Sequence, residues 1–339
     1  MEGLAQMQTP TVLRGWVVEG RVVPTVCAAL CRIGSSRSAA GSLARILNGM
    51  SQALDMTQAT PEEIAAFAEQ LVRHTENGKA MLKLLQVEDT RSQAQGLLLL
   101  RRVYPYTKAL LGRHLLSDPA SIAALMQILQ TAGASSWANC SDGEDKAVRD
   151  VTMLCAECVQ FLLLVTKEDG DVRMIVTFQD GAEALLAIVA QALTALHRGE
   201  AAVVRTAIDA CSCVLHLVGQ GAVAQKYMRE SGHLAMVVRT VRCAAASAGS
   251  GQMEDLIAIL FDVVALFVKA SKSGKNAEAA ANAKALIRGA SVVETIGVEV
   301  LPIPHLSQAT KVRAVQVLDA VLSAAEESLL GCIVKAPSG

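Results

Sequence analysis

Apolar residues along the chain recur at helical spacing, and the pattern is written more than once. The segment Arg173–Val189 (RMIVTFQDGAEALLAIV) returns in outline 51 residues later as Ala224–Thr240 (AQKYMRESGHLAMVVRT). Each copy reads as a helix, a glycine break at Gly181 or Gly232, and a second apolar helix. A repeated helical unit cannot bury its apolar face alone and must stack on its neighbours, so the pattern predicts an all-α fold of the α-solenoid type. No run shows sustained period-two alternation bounded by hairpin turns, which argues against a substantial β-sheet.

Start and stop signals divide the chain further. Thr60-Pro61-Glu62-Glu63 is a capping box with Pro at the first helical position. The helix it opens is expected to run to about His74 and stop at Asn77-Gly78. Units of long helix, short helix, turn and long helix are expected from Lys146 to His197, from Ala201 to about Arg242 and from about Met253 to Val300. Ser307 to Leu329 supplies a closing helix, and residues 61–130 hold an earlier, less regular unit. The whole reads as one array over residues 1–330, with residues 1–58 an atypical N-terminal cap and 331–339 a frayed tail. Residues 131–145, rich in Gly, Ser and Asn, read as an inserted loop, and 243–252 as a flexible connector. The most apolar run, Leu256 to Val268, has 13 residues and contains Asp262. Spanning a bilayer takes roughly 20, so this is a buried core helix, and no membrane insertion is expected.

Composition sharpens the picture. The 339 residues are 52% hydrophobic but only 3% aromatic, so Ala, Leu and Val, good for close-packed helices, supply the apolar content. A formal charge of -1 argues against nucleic-acid binding driven by bulk charge. Cys27, Cys31, Cys155, Cys158, Cys211 and Cys213 sit in apolar helical runs, where cysteine acts as a small hydrophobe. The odd total of nine and the lack of a convincing secretory signal point to a reducing, cytoplasmic setting, with nuclear or cytoskeletal association left open.

Motif chemistry is sparse. Cys155-Ala156-Glu157-Cys158 has no second ligand pair at zinc spacing, so packing is the preferred reading and no metal is expected. The six histidines, His74, His114, His197, His216, His233 and His305, share no metal-binding spacing. His74 and His197 fall near helix ends, where they complement the dipole. No phosphate-binding loop, dinucleotide fingerprint or nucleophile elbow is present, so neither cofactor nor catalytic residues are assigned. Arg101, Arg102, Tyr104 and Tyr106 surround the helix-breaking Pro105, a composition found at interfaces and equally at kinked helices with solvated charges.

Ala207, Cys211, Val214, Leu215 and Leu217, followed by a short helix at Gln225–Met228 and then Gly232, resemble an armadillo repeat. Similar phrases at 151–189 and 256–293 extend the resemblance over roughly residues 60–330, without separating armadillo from HEAT repeats. It implies a right-handed superhelix whose third helices line a concave protein-binding face. Armadillo proteins that grip extended peptides place an asparagine near the end of each third helix. Here the corresponding positions hold Gln70, Phe161, His216 and approximately Leu266, so a peptide ladder is not implied. The preferred reading is a non-enzymatic protein-binding scaffold or adaptor, with His216, Gln70 and Gln160 on that face and Arg101, Arg102, Tyr104 and Tyr106 as a separate patch. Alternatives are a chaperone cofactor or assembly factor, or an enzyme or small-molecule carrier with a pocket between helices. Weak self-association is a further expectation.

Overall fold

In the computed structural model, residues 59–73, 75–135, 146–196, 202–247, 251–269 and 277–334 are described, with parts of 23–52. His74, His197 and most of the expected N-terminal cap therefore lie outside the described residues. The described residues are helical, with no β-strand among them. Contacts divide the chain into two compact units, Met1–Val172 and Arg173–Gly339.

In the first unit, α1 is Pro61–Val72, α2 is Thr75–Lys83, α3 is Thr90–Ser117, α4 is Pro119–Ser135 and α5 is Lys146–Glu168. The predicted capping box is present: Thr60 Oγ1 accepts from Glu63 N–H at 3.3 Å, and Glu63 Oε2 accepts from Thr60 N–H at 2.8 Å. The expected stop at Asn77-Gly78 is not found. The chain turns earlier, at Arg73, and α2 runs through both residues. A Cβ on Gly78 would stand 2.4 Å from His114 Cδ2, so this glycine admits the His114 ring rather than ending a helix. The ring nitrogen Nε2 in turn lies 3.1 Å from the Val72 carbonyl.

Pro105 sits inside α3, and the helix is broken at Thr107, with φ -131° and ψ 22°. The Thr107 hydroxyl donates to Val103 O at 3.0 Å, satisfying a carbonyl beside the kink. α3 packs against α1 and α5. Of the predicted loop 131–145, residues 131–135 instead complete α4; residues 136–145 are not described.

α6, Gly170–Phe178, crosses the division between units. The second unit continues with α7 (Gly181–Leu196), α8 (Ala202–Val218), α9 (Ala222–Glu230), α10 (His233–Ala246), α11 (Gly251–Val268) and α12 (Ala277–Arg288). Then come α13 (Val292–Glu294), prolonged as a π-helical turn over Thr295–Val300, and α14 (Gln308–Val334). Part of the expected connector 243–252 is therefore helix: α10 continues to Ala246 and α11 opens at Gly251. Leu256, Ile257, Leu260, Phe261, Val263, Val264 and Phe267 bury one side of α11 completely, as expected for the apolar run.

In the second unit, elements stack on their counterparts one repeat later. α8 packs on α11 and α11 on α14; α7 packs on α10 and α10 on the π turn; α9 packs on α12. Side-chain polar links follow the same rule. Tyr227 to Asp180, Arg229 to Asn282, Arg242 to Thr295 and Arg313 to Asp262 span 47, 53, 53 and 51 residues. Nearest-neighbour bonding of this kind is what makes a helical array nearly one-dimensional.

Candidate partner-binding surfaces

In the first unit the expected cationic-aromatic patch separates into two sides of one helix. Two residues along a helix lie about 200° apart, so Tyr104 and Tyr106 cannot share a face. Tyr104 is 1% exposed and meets Phe161 edge-on, with ring centroids 6.1 Å apart. It is a core residue, and burial pushes its hydroxyl up to about 12. Tyr106 is 44% exposed.

Arg101 is spent on α5. Its Nε lies 2.9 Å from Glu157 Oε2, and its guanidinium also donates to Glu157 Oε1 at 3.3 Å and to Gln160 Oε1. Burial raises the Glu157 carboxyl above its ordinary range while Arg101 and Arg102 pull it back. Gln160 is thus an internal partner of Arg101. Arg102 reaches the Asn48 carbonyl at 3.5 Å. Gln70 is part-exposed on α1, with Oε1 buried and no hydrogen-bond partner among the described residues.

In the second unit, α8, α11 and α14 lie side by side and each leaves apolar residues in reach of solvent. Ile208 and Leu215 are part-exposed on α8, beside Ser212 and His216; Ile259 and Leu266 are part-exposed on α11, beside Asp262. On α14, Val312, Val315 and Leu322 are 46%, 53% and 44% exposed. These positions recur at three-, four- and seven-residue steps, so each set occupies one stripe of its helix. Arg313 donates to Asp262 at 2.8 Å, joining the α14 stripe to that of α11. His216 therefore belongs to a surface that is mostly aliphatic. The α14 stripe escaped the sequence reading, which took 307–329 only as a closing helix, although Val312, Val315 and Leu322 already stood at one-face spacing.

Other groups can be assigned. Cys155, Cys158, Cys211 and Cys213 are buried thiols. Burial pushes Cys155 up to about 12 and Cys211 higher still, which leaves both unreactive. A depression of about 380 Å³ in the first unit is lined by Gly41, Arg45, Glu88, Asp89, Arg91, Ser92 and Gln95. Asp89 is already committed there, accepting from Ser92 N–H at 2.9 Å as the cap of α3.

A polar cluster at the turns into α7 and α10 draws on residues a repeat apart. Asp180 precedes α7, Glu183 lies in its first turn, and His233 is the first residue of α10. One ligand atom from each lies within 4.8 Å of the others. Tyr227 Oη donates to Asp180 Oδ1 at 2.5 Å, and the Tyr227 ring meets Phe178 and His233 edge-on at 5.0 and 6.2 Å. Burial holds the His233 imidazole below its ordinary range, against the opposing pull of Glu183 and Asp180. Linear spacing in the sequence does not single out His233, because its two acidic neighbours lie about one repeat away.

No family model matches the chain, and no curated protein matches it. Among solved structures, two crystal structures of Uso1, a helical-repeat protein, superpose with TM-scores of 0.70 and 0.58, both at 13% identity. They cover 92% and 94% of this chain, which spans about half the length of theirs, 48% and 51%. An engineered helical-repeat protein superposes with a TM-score of 0.54 at 13% identity, covering 88% of this chain and 97% of its own. The fold is that of an all-α helical-repeat protein. Among the described residues, no single helix is long and apolar enough to cross a membrane.

Proposed function

We propose that this protein is a non-enzymatic, protein-binding scaffold of the armadillo type, acting where thiols stay reduced. The observation that carries the reading is the aliphatic surface on α8, α11 and α14, above all the exposed Val312, Val315 and Leu322. Surfaces of this kind mark protein-interaction sites when rimmed by polar groups, and Asp262, Arg313 and His216 supply such a rim. Its fold neighbours, themselves helical-repeat proteins, fit a scaffold and name no partner. The buried, high-pKa cysteines and the lack of motif chemistry favour binding over catalysis.

The test is affinity capture of the tagged protein from its native cells at low and moderate salt, beside a Val312→Glu/Val315→Glu variant. Both valines are exposed, so the variant's circular dichroism melt should match the parent's. A stoichiometric partner retained by the parent and lost by the variant is the expected result. Absence of any such partner at either salt, or full retention by the variant, overturns the reading.

A further inference from the structure

The cluster of Asp180, Glu183 and His233 has a property that surface carboxylates alone do not supply. His233 is 1% exposed, and its Nδ1 is buried with no hydrogen-bond partner among the described residues. A buried polar atom left unpaired is costly, so a native structure that keeps one calls for an explanation. The two carboxylates beside it are exposed, and their ligand atoms lie within 4.8 Å of a ring nitrogen of His233.

We propose that Asp180, Glu183 and His233 form a binding site for a divalent transition-metal ion, zinc being the best match. One imidazole nitrogen and two carboxylate oxygens suit a borderline cation better than magnesium or calcium, which favour oxygen alone. Zinc–nitrogen and zinc–oxygen bonds of about 2.0 to 2.2 Å require the ligands to draw together. Both carboxylates are exposed and can do so by rotation, while His233 stays fixed at the head of α10. Tyr227, donating to Asp180, orients that carboxylate from outside the ligand set, as groups beyond the ligands commonly do. Three protein ligands leave a fourth position to water or to a group brought by another molecule. The ion would bridge two successive repeats at the turns that open α7 and α10.

The test is isothermal titration calorimetry of the full chain, stripped of metal, with zinc chloride and separately with magnesium chloride. The expected result is one zinc per chain and no comparable magnesium signal. Glu183→Gln and Asp180→Asn should each weaken zinc by about 10-fold or more. Both positions are exposed and their replacements isosteric, so folding is kept; His233→Asn should abolish binding but is judged only if its circular dichroism melt is parental. Cobalt substitution identifies the ligands: weak visible bands without an intense near-ultraviolet thiolate band are expected. No zinc binding, parental affinity in both carboxylate variants, or a thiolate band pointing to the cysteines would each overturn the assignment.

Discussion

A residue of positive φ stands immediately before α7, α10 and α13, and these three turns solve the same problem with different residues. Before α7 the left-handed position is Asp180, with φ 57°; before α10 it is Gly232, with φ 81°; before α13 it is Ser291, with φ 53°. The sequence repeat aligns Gly181 with Gly232, yet these glycines do unlike things. Gly232 supplies the dihedral, and a Cβ there would meet nothing within 4 Å. Gly181 has no left-handed backbone but is wedged against α6: a Cβ on it would stand 2.6 Å from the Val176 carbonyl oxygen and 2.4 Å from Val176 Cγ1. What is held from turn to turn is therefore the shape of the backbone. The residue that permits it is free to change, and one such change placed a carboxylate at Asp180 opposite His233.

The largest effect that separates the turns should come from Gly181→Ala. Its collision is with backbone, so the helices must shift, at a cost of about 3 kcal/mol, near the upper end for overpacking. The double variant with Val176→Ala removes Cγ1 but leaves the carbonyl, and should recover only part of the loss. Urea midpoints of the three proteins give the answer. Full recovery in the double variant would place the constraint in the side chain, and a neutral Gly181→Ala would erase the distinction between the glycines.

That distinction lay beyond reading from the sequence, and the reason is physical. Helix type, repeat length and the capping box at Thr60 are local matters of propensity and hydrogen bonding, so they were legible, and unit limits near 146, 201, 253 and 307 lie close to the observed helix starts at 146, 202, 251 and 308. Asn77-Gly78 was misread because a glycine needed for the approach of His114 looks, in one dimension, like a helix stop. Tyr104 was misread because its partner, Phe161, is 57 residues away. The repeat register points to His216, which is part-exposed near the end of α8, whereas the α14 stripe lies inside a helix assigned only a closing role. The Asp180–Glu183–His233 cluster was present in the opening alignment, as residues flanking Gly181 and Gly232. Motif searches at fixed short spacing miss it, because stacking brings together residues about one repeat apart.

Gly232→Ala should cost less than the change at Gly181, between about 1 and 2 kcal/mol, the price of holding an L-residue left-handed in otherwise open space. Asn tolerates that region better than Ala, so Gly232→Asn should lie between wild type and Gly232→Ala. The same urea series measures both. If Gly232→Ala proved as damaging as Gly181→Ala, the open space around Gly232 would have to be filled by something the turn geometry does not include.

Ser291→Gly tests the comparison from the opposite side and should show the smallest effect. Ser291 holds φ 53° and ψ 39° as the residue before α13, and its side chain makes no capping hydrogen bond. Left-handed strain in an L-residue costs about 1 to 2 kcal/mol, and glycine's greater freedom in the unfolded chain returns about 0.5 to 1 of that. The net expectation is a gain of about 0.5 kcal/mol, seen as a slightly higher urea midpoint. Ser291 differs here from Asp180, whose carboxylate is held by Tyr227 and faces His233, so that replacing it would confound strain relief with a lost contact. A destabilised Ser291→Gly would mean that the third turn, like the first, keeps its left-handed residue for what the side chain does.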